Sequence, residues 1–231
     1  MNIADAHRWV NSWFLKTAGG DGRPAYYDID SYYPQLRQVD RAFPQIKAEA
    51  IALLGRRDEV PRLHETDPGQ ECISAATPND WRVYYLTLAG ARAEPNQAQC
   101  PATTRVLDQV PGVFQACFSI LDPGKSVPPH RGPYGGYLRY HLGLIVPDND
   151  PPQLKVNGQP YTWREGEGVL FDDTHEHEVI NTCAEPRVVL IVDVFRRMPL
   201  PQTLVNHGAR RLGARLYGQP ILRNALERNA G

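Results

Sequence analysis

Pro128-Pro129-His130-Arg131-Gly132-Pro133-Tyr134 leads shortly into Leu138-Arg139-Tyr140-His141-Leu142-Gly143-Leu144-Ile145-Val146, and the reading of these stretches decides the fold. In an extended chain, successive side chains point to opposite faces. Arg139, His141 and Gly143 therefore share one face, and Leu138, Tyr140, Leu142 and Leu144 share the other. The first face either looks onto water or lines a polar cavity, because an unpaired charge buried among apolar side chains is costly. Residues 187–195 repeat the theme: Val188, Leu190, Val192 and Val194 make one face, and Arg187, Val189, Ile191 and Asp193 the other. Apolar residues on both faces place Arg187 at the mouth of a barrel. Its planar fork suits a carboxylate, whether a structural partner (Asp193 or Glu185) or a bound dicarboxylate.

Outward from these strands, further strand-like runs lie at 82–88, 113–120, 153–156, 160–163, 168–171 and 177–181, separated by Pro, Gly, Asn and Asp clusters. Asn157-Gly158 predicts a hairpin with a type I′ turn. The N-terminal part has helical periodicity instead: one helix over 3–16, with Ile3, Trp9, Val10, Trp13 and Phe14, and another from about 32 to 54. Pro34 fits the first turn of the second helix, Pro44 kinks it and Gly55 ends it. Residues 56–79 read as loop, 100–110 as a short helix, and 203–231 as a terminal helix or a mobile tail. The fold expected is mainly β with flanking helices, a double-sheet antiparallel barrel of the jelly-roll, cupin-like kind. It forms a single domain over 1–231: a helical and loop region (1–80) packed on the barrel, a core (81–200) and a C-terminal tail (201–231).

Composition narrows the class. With 231 residues the chain can bury a full core. Its 21 prolines and 19 glycines favour a turn-rich β protein. A net charge of −1 offers no general affinity for nucleic acid. No apolar run approaches a membrane span, and Met1–Arg8 has no leader pattern, so a cytoplasmic protein without a membrane partner is expected. Cys72, Cys100, Cys117 and Cys183 lack zinc-site spacing and are expected as free thiols.

The histidines carry the chemistry. His130, and His175 or His177 within Phe171-Asp172-Asp173-Thr174-His175-Glu176-His177, sit at the edges of strand-like runs and can meet at the barrel mouth to hold a metal. A carboxylate two residues after His130 would complete the two-histidine, one-carboxylate set that suits non-haem iron(II) oxygenases. Gly132 stands there instead, so the pattern reads as an iron site without its acidic ligand. Spacing alone does not choose between His175 and His177. Asp172, Asp173 or Glu176 could support the ligands from behind.

His130-Arg131-Gly132-Pro133, Leu138 to Leu144, Trp163-Arg164-Glu165-Gly166, Phe171-Asp172-Asp173, Glu176-His177-Glu178 and Arg187 to Val194 together resemble the catalytic domain of the aspartyl/asparaginyl β-hydroxylases. The resemblance implies a double-stranded β-helix and a dioxygenase that uses Fe(II), 2-oxoglutarate and O2. It makes His130 and His177 the iron ligands, Arg187 the anchor for the distal carboxylate of 2-oxoglutarate, and Arg139, His141 and Ser119 further co-substrate contacts. Gly132 is shared with the animal β-hydroxylases, whereas lipid A 2-hydroxylases, also similar, carry Asp there; His175 stands where the family usually has an aromatic residue. The implied reaction hydroxylates an unactivated C–H bond, with the β-carbon of an aspartyl, asparaginyl or similar residue in a peptide, protein or amino acid as the expected target. The alternatives are a lipid A-type acyl-chain 2-hydroxylase and a non-catalytic cupin-like module that binds metal or 2-oxoglutarate.

Overall fold

In a computed structural model, which describes residues 3–229, two antiparallel sheets face each other. The ends of the expected first and last regions, residues 1–2 and 230–231, lie outside the described residues. The strands are β1 (Tyr26–Tyr27), β2 (Trp81–Leu88), β3 (Ala91–Arg92), β4 (Val113–Leu121), β5 (Val127–His130), β6 (Tyr137–Ile145), β7 (Gln153–Val156), β8 (Gln159–Thr162), β9 (Gly168–Phe171), β10 (His177–Ile180) and β11 (Arg187–Phe195). The larger sheet has the order β1-β9-β6-β11-β4-β2-β3, and the smaller β5-β10-β7-β8. Non-consecutive neighbours in both sheets make this a double-stranded β-helix, as the alternation predicts.

Both faces of the large sheet are covered, which is why β6 and β11 carry apolar residues on both sides. Leu138, Tyr140, Leu142, Leu144, Val188, Leu190, Val192, Val194 and Phe118 pack against the N-terminal helical region through Leu36, Val39, Ile46, Ala50 and Leu53. The opposite face meets the small sheet through Val127, Leu154, Val156 and Val179, together with Trp163 and Phe171. Register places Arg187, Val189, Ile191 and Asp193 beside Leu121, Ser119, Cys117 and Gln115 on β4. It also sets Ile191 and Asp193 beside His141 and Arg139 on β6. The polar residues of three strands thus converge on the space between the sheets.

The single helix expected over 32–54 is broken. A 3-10 turn (Pro34–Leu36) and a short helix (Arg37–Arg41) precede the main helix, Phe43–Gly55. Pro44 has no N–H to continue a helix from Asp40 and its ring crowds that turn, so the chain restarts with Pro44 in the new first turn. Residues 57–74, expected as loop, coil into short helical turns. The helix Pro101–Leu107 is capped from outside: the Glu49 carboxylate accepts from the N–H groups of Ala102 and Thr103 at 2.7 and 3.0 Å. Pro128 and Pro129 hid β5; the strand tolerates them because it is the edge of the small sheet. Asn157 and Gly158 both have positive φ, 49° and 77°, as a type I′ turn between β7 and β8 requires. The tail is helical, Leu200–Gly213 and Gln219–Asn229, joined by one π turn. All four cysteines are free.

Ile46, fully buried, joins the Phe43–Gly55 helix to the large sheet. Ile46→Ala is expected to cost about 2–5 kcal/mol. Calorimetry should show one transition moved down by roughly 5–15 °C. Two separate transitions would mean that the helical region folds apart from the barrel.

Candidate metal and co-substrate site

β5 and β10 pair so that His130 and His177 stand directly opposite each other. Their ring centroids are 4.1 Å apart. Each ring spends its Nδ1 on a backbone carbonyl: His130 on Pro128 at 2.8 Å, His177 on His175 at 3.0 Å. A carbonyl only accepts, so both Nδ1 atoms are protonated and both Nε2 atoms keep a lone pair. Burial holds both imidazoles in the neutral form. It lowers the pKa of His130, and that of His177 falls to about 3, pushed by burial first and by the neighbouring His130 next. Two neutral, oriented nitrogen donors side by side are what a divalent metal asks of a protein. Among the described residues no group of three or more His, Cys, Asp or Glu side chains could share one ion. His175 turns away and bonds the Arg23 carbonyl through Nε2 at 3.2 Å.

Gly132 explains the missing carboxylate. Its N–H donates to the Asp173 carbonyl at 2.7 Å. A Cβ at Gly132 would lie 2.3–2.5 Å from the atoms of the Asp173 carboxylate. The space for an acidic side chain at 132 is therefore already filled by one from 173. Asp173 is fully buried, receives a hydrogen bond from the Tyr137 hydroxyl at 3.2 Å and pairs with Arg139 at 3.4 Å. Burial raises its pKa. Its Oδ1 has no partner among the described residues. Of the other two acids expected behind the ligands, Asp172 is buried in ion pairs with Arg23 and Arg196, at 2.9 and 2.8 Å, while Glu176 is exposed.

A row of rings runs from this pair into the cavity. Phe171 lies 6.0 Å from His177 and 4.9 Å from His141. His141 stacks on Trp163 at 5.8 Å. The Arg187 guanidinium sits over Trp163, 4.7 Å from the ring centroid. At this end the hydrogen bonds run out. Nε and Nη1 of Arg187, both ring nitrogens of His141 and Nε1 of Trp163 are buried with no partner among the described residues. Neither Asp193 nor Glu185, considered as structural partners, pairs with Arg187. Burial alone depresses the Arg187 pKa to about 9. Burial and the charges of Arg139 and Arg187 hold His141 neutral. Ser119 is buried, and its Oγ accepts from Trp81 Nε1 at 3.0 Å, which leaves its own hydrogen to donate. The donors fit an anionic group, since a buried cation without a partner is stable only if a ligand supplies the opposite charge.

Arg139 behaves differently. It grips Asp193 with two parallel bonds at 2.8 and 2.9 Å, across the register that pairs the two residues. Its fork is taken by protein. Of the residues expected from the sequence, the structure brings His130 with His177, and Arg187 with His141. Arg139 lies on the same face, committed to Asp193, and Ser119 is on the neighbouring strand. Trp163 is the residue for which the sequence suggests no role; its signal is its place where β8 ends. Asp173, one of the three acids expected behind the ligands, stands behind Gly132.

Gly132→Asp is expected to destabilise the fold by about 1–3 kcal/mol through overlap and like charge with Asp173. Combining it with Asp173→Gly should restore the melting temperature and strengthen Mn(II) binding over the parent chain in calorimetric titration. An undisturbed melting temperature in the single variant would show that this loop yields freely.

Residues 40–197 match the family model described as aspartyl/asparaginyl beta-hydroxylase. The chain is 39% identical to the ornithine lipid ester-linked acyl 2-hydroxylase of Rhizobium tropici over 199 residues, covering 86% of this chain and 69% of that protein. It is 35% identical to human aspartyl/asparaginyl beta-hydroxylase over 200 residues, covering 84% of this chain but only 25% of the human one. Among solved structures, a Pseudomonas putida prolyl-4-hydroxylase is similar over 67% of this chain and 87% of its own, with a TM-score of 0.42 and 17% identity. On the family match and the two relatives, the chain belongs to the aspartyl/asparaginyl β-hydroxylase family, and with it to the hydroxylases.

Proposed function

We propose that His130 and His177 hold Fe(II), that 2-oxoglutarate enters with its distal carboxylate on Arg187, and that the chain hydroxylates a methylene carbon next to a carbonyl. The observation that carries this reading is the buried Arg187 fork, unpaired, at the far end of a ring row that starts at two Nε2 lone pairs. When bound, ferrous iron with O2 and 2-oxoglutarate supplies the oxidising power to hydroxylate an unactivated C–H bond. The chain's own residues bind, orient and shield. Arg187 fixes the co-substrate's far end, Trp163 carries the face of that guanidinium, and His141 and Ser119 offer neutral donors beside it. The carbonyls of Pro128 and His175 keep both ligand rings in one tautomer and one orientation.

The target proposed first is the β-carbon of an aspartyl or asparaginyl residue in a peptide, protein or amino acid; the family description supports it. The acyl-chain reading, in which the hydroxylated methylene lies beside an ester carbonyl, draws support from the Rhizobium relative, which matches 86% of this chain.

Fe(II)-dependent succinate formation from 2-oxoglutarate tests the enzyme against a binding module. His130→Ala is expected to abolish it, by 10²-fold or more if metal binding is lost. Stimulation by an aspartyl peptide or by an acylated ornithine lipid then separates the two substrates. Undiminished turnover by the alanine variant would move the ligand elsewhere.

Arg187→Met should divide stability from binding. It is expected to raise the melting point of the ligand-free chain, by about 1–4 kcal/mol of stability, because an uncompensated cation leaves the interior. The same variant should lose 2-oxoglutarate affinity at least 100-fold in calorimetry and keep Mn(II) binding. A destabilised variant would mean that Arg187 has a structural partner after all.

A further inference from the structure

The helix Leu200–Gly213 and the π turn Ala214–Gly218 are built inside out. Gln202 and Asn206 are the residues they bury against the rest of the fold along the first helix. Gln202 Nε2 donates to Thr17 Oγ1 at 2.8 Å; Asn206 Nδ2 donates to the Gly136 carbonyl at 2.8 Å, and its Oδ1 accepts from the Tyr134 hydroxyl at 2.6 Å. The leucines point the other way: Leu200, Leu204, Leu212 and Leu216 are 71, 62, 59 and 69% exposed. At 3.6 residues per turn, Leu200, Leu204 and Arg211 fall within about 40° of arc and Gln202 roughly opposite, while Leu212 lies about 80° beyond Leu204 and widens the apolar face. An ordinary surface helix does the reverse.

Charge accompanies the leucines. Residues 200–229 carry Arg210, Arg211, Arg215, Arg223 and Arg228 against Glu227 alone, a net charge of +4 in a chain that totals −1. Arg211 and Arg215 are exposed among the leucines, and Arg210, also exposed, borders them with its side chain along Gly90. The face also has a defined place. Its inner side bonds Tyr134 and Gly136, in the loop that leaves His130 and Gly132, so the face lies alongside the end of the barrel that holds the histidine pair.

We propose that this face docks the protein on an anionic lipid bilayer, lying flat in the headgroup region with Leu200, Leu204, Leu212 and Leu216 inserted and the arginines paired to lipid phosphates. Exposed apolar residues flanked by cations on one helical face match such an interface. No helix among the described residues is long and apolar enough to cross a membrane, so the contact is peripheral. A second copy of the chain is the poorer fit, because the arginines of two such faces would repel. The inference stands apart from the proposed hydroxylase reading, and it replaces the expectation that the protein has no membrane partner.

The full chain is sedimented with vesicles of phosphatidylcholine alone, or with phosphatidylglycerol at roughly one lipid in three. Tenfold or greater preference for the anionic vesicles, weakened by high salt, is expected. Leu204→Ser with Leu212→Ser should lose tenfold or more of the binding. Arg211→Gln with Arg215→Gln should lose roughly 25-fold, about fivefold for each arginine. Both pairs are exposed and should keep the parent melting temperature; Leu200→Ser, in the first turn, serves if either fails to fold. Absence of binding to anionic vesicles at low salt would overturn the proposal, as would parental binding by both variants. A concentration-dependent dimer in velocity sedimentation that the leucine variants dissolve would also overturn it, giving the face to a second copy. Lipid-free 2-oxoglutarate turnover by the same preparations reports on the catalytic reading independently of docking.

Discussion

Asp172 holds three distant parts of the chain in one place. Its Oδ2 takes Arg23 at 2.9 Å from the N-terminal region and Arg196 at 2.8 Å from the end of β11. Its Oδ1 takes the N–H of Thr174 at 3.1 Å, closing the turn that precedes His177. All three charged side chains are buried. Burial pushes the Asp172 pKa up, but Arg196, Thr174 and Arg23 together hold it below the usual carboxylate range. Removing one member of such a cluster strands the other charges, at a typical cost of about 3–5 kcal/mol. The turn 172–177 supplies Asp173, the carbonyl of His175 and the His177 ring, so the positions of all three follow from this cluster. Arg23 lies outside the stretch that matches the family model, residues 40–197. The helical N-terminal region is thus part of what positions the site.

Within the cavity, the pairing of charges separates scaffold from binding surface. Arg139 is neutralised by Asp193 and approached by Asp173. Arg196 and Arg23 share the carboxylate of Asp172. Arg187 has the same chemistry and comparable burial, and no carboxylate. Each of these interior arginines has a carboxylate within reach, and Arg187 does not. On the proposed function, the bare fork persists because a ligand's charge completes it, at a standing cost to the ligand-free fold. On the proposed reading, that ligand is the distal end of 2-oxoglutarate.

The sequence was legible wherever a two-residue period met a face. The alternation in Leu138–Leu144 and Arg187–Asp193 correctly groups Arg139 with His141 and Arg187 with Asp193; it leaves open whether the first face meets water or a cavity, and the register brings both pairs to one inner surface. Alternation does not carry register between strands, and so Asp193 could be offered to Arg187 when it belongs to Arg139. Pro128-Pro129 concealed β5, since edge position, which makes prolines tolerable, is a property of the sheet and not of the segment. The Arg23–Asp172–Arg196 cluster spans most of the chain and leaves no local trace. The helix expected in the tail is present, but its orientation left no trace: periodic leucines normally mark a buried stripe, and here the fold buries Gln202 and Asn206 instead.

The glycine at 132 and the acid at 173 are one arrangement seen from two sides. A carboxylate offered directly from 132 would give a bound cation a permanent counter-charge. Two neutral imidazoles give none, and Asp173 stands behind Gly132 with its pKa raised by burial and one oxygen unpartnered. On the proposed reading, the cation's charge must then be balanced largely by what binds beside it, and the anionic co-substrate is the group at hand. Linkage makes that dependence mutual: if the anion tightens the hold on the metal, the metal tightens the hold on the anion by the same factor. Arg187 enters the same relation, because its own lack of a counter-charge favours the dianion that the metal also favours. On that reading, a site made of two lone pairs and a bare guanidinium is weak in each half and strong only when both are filled.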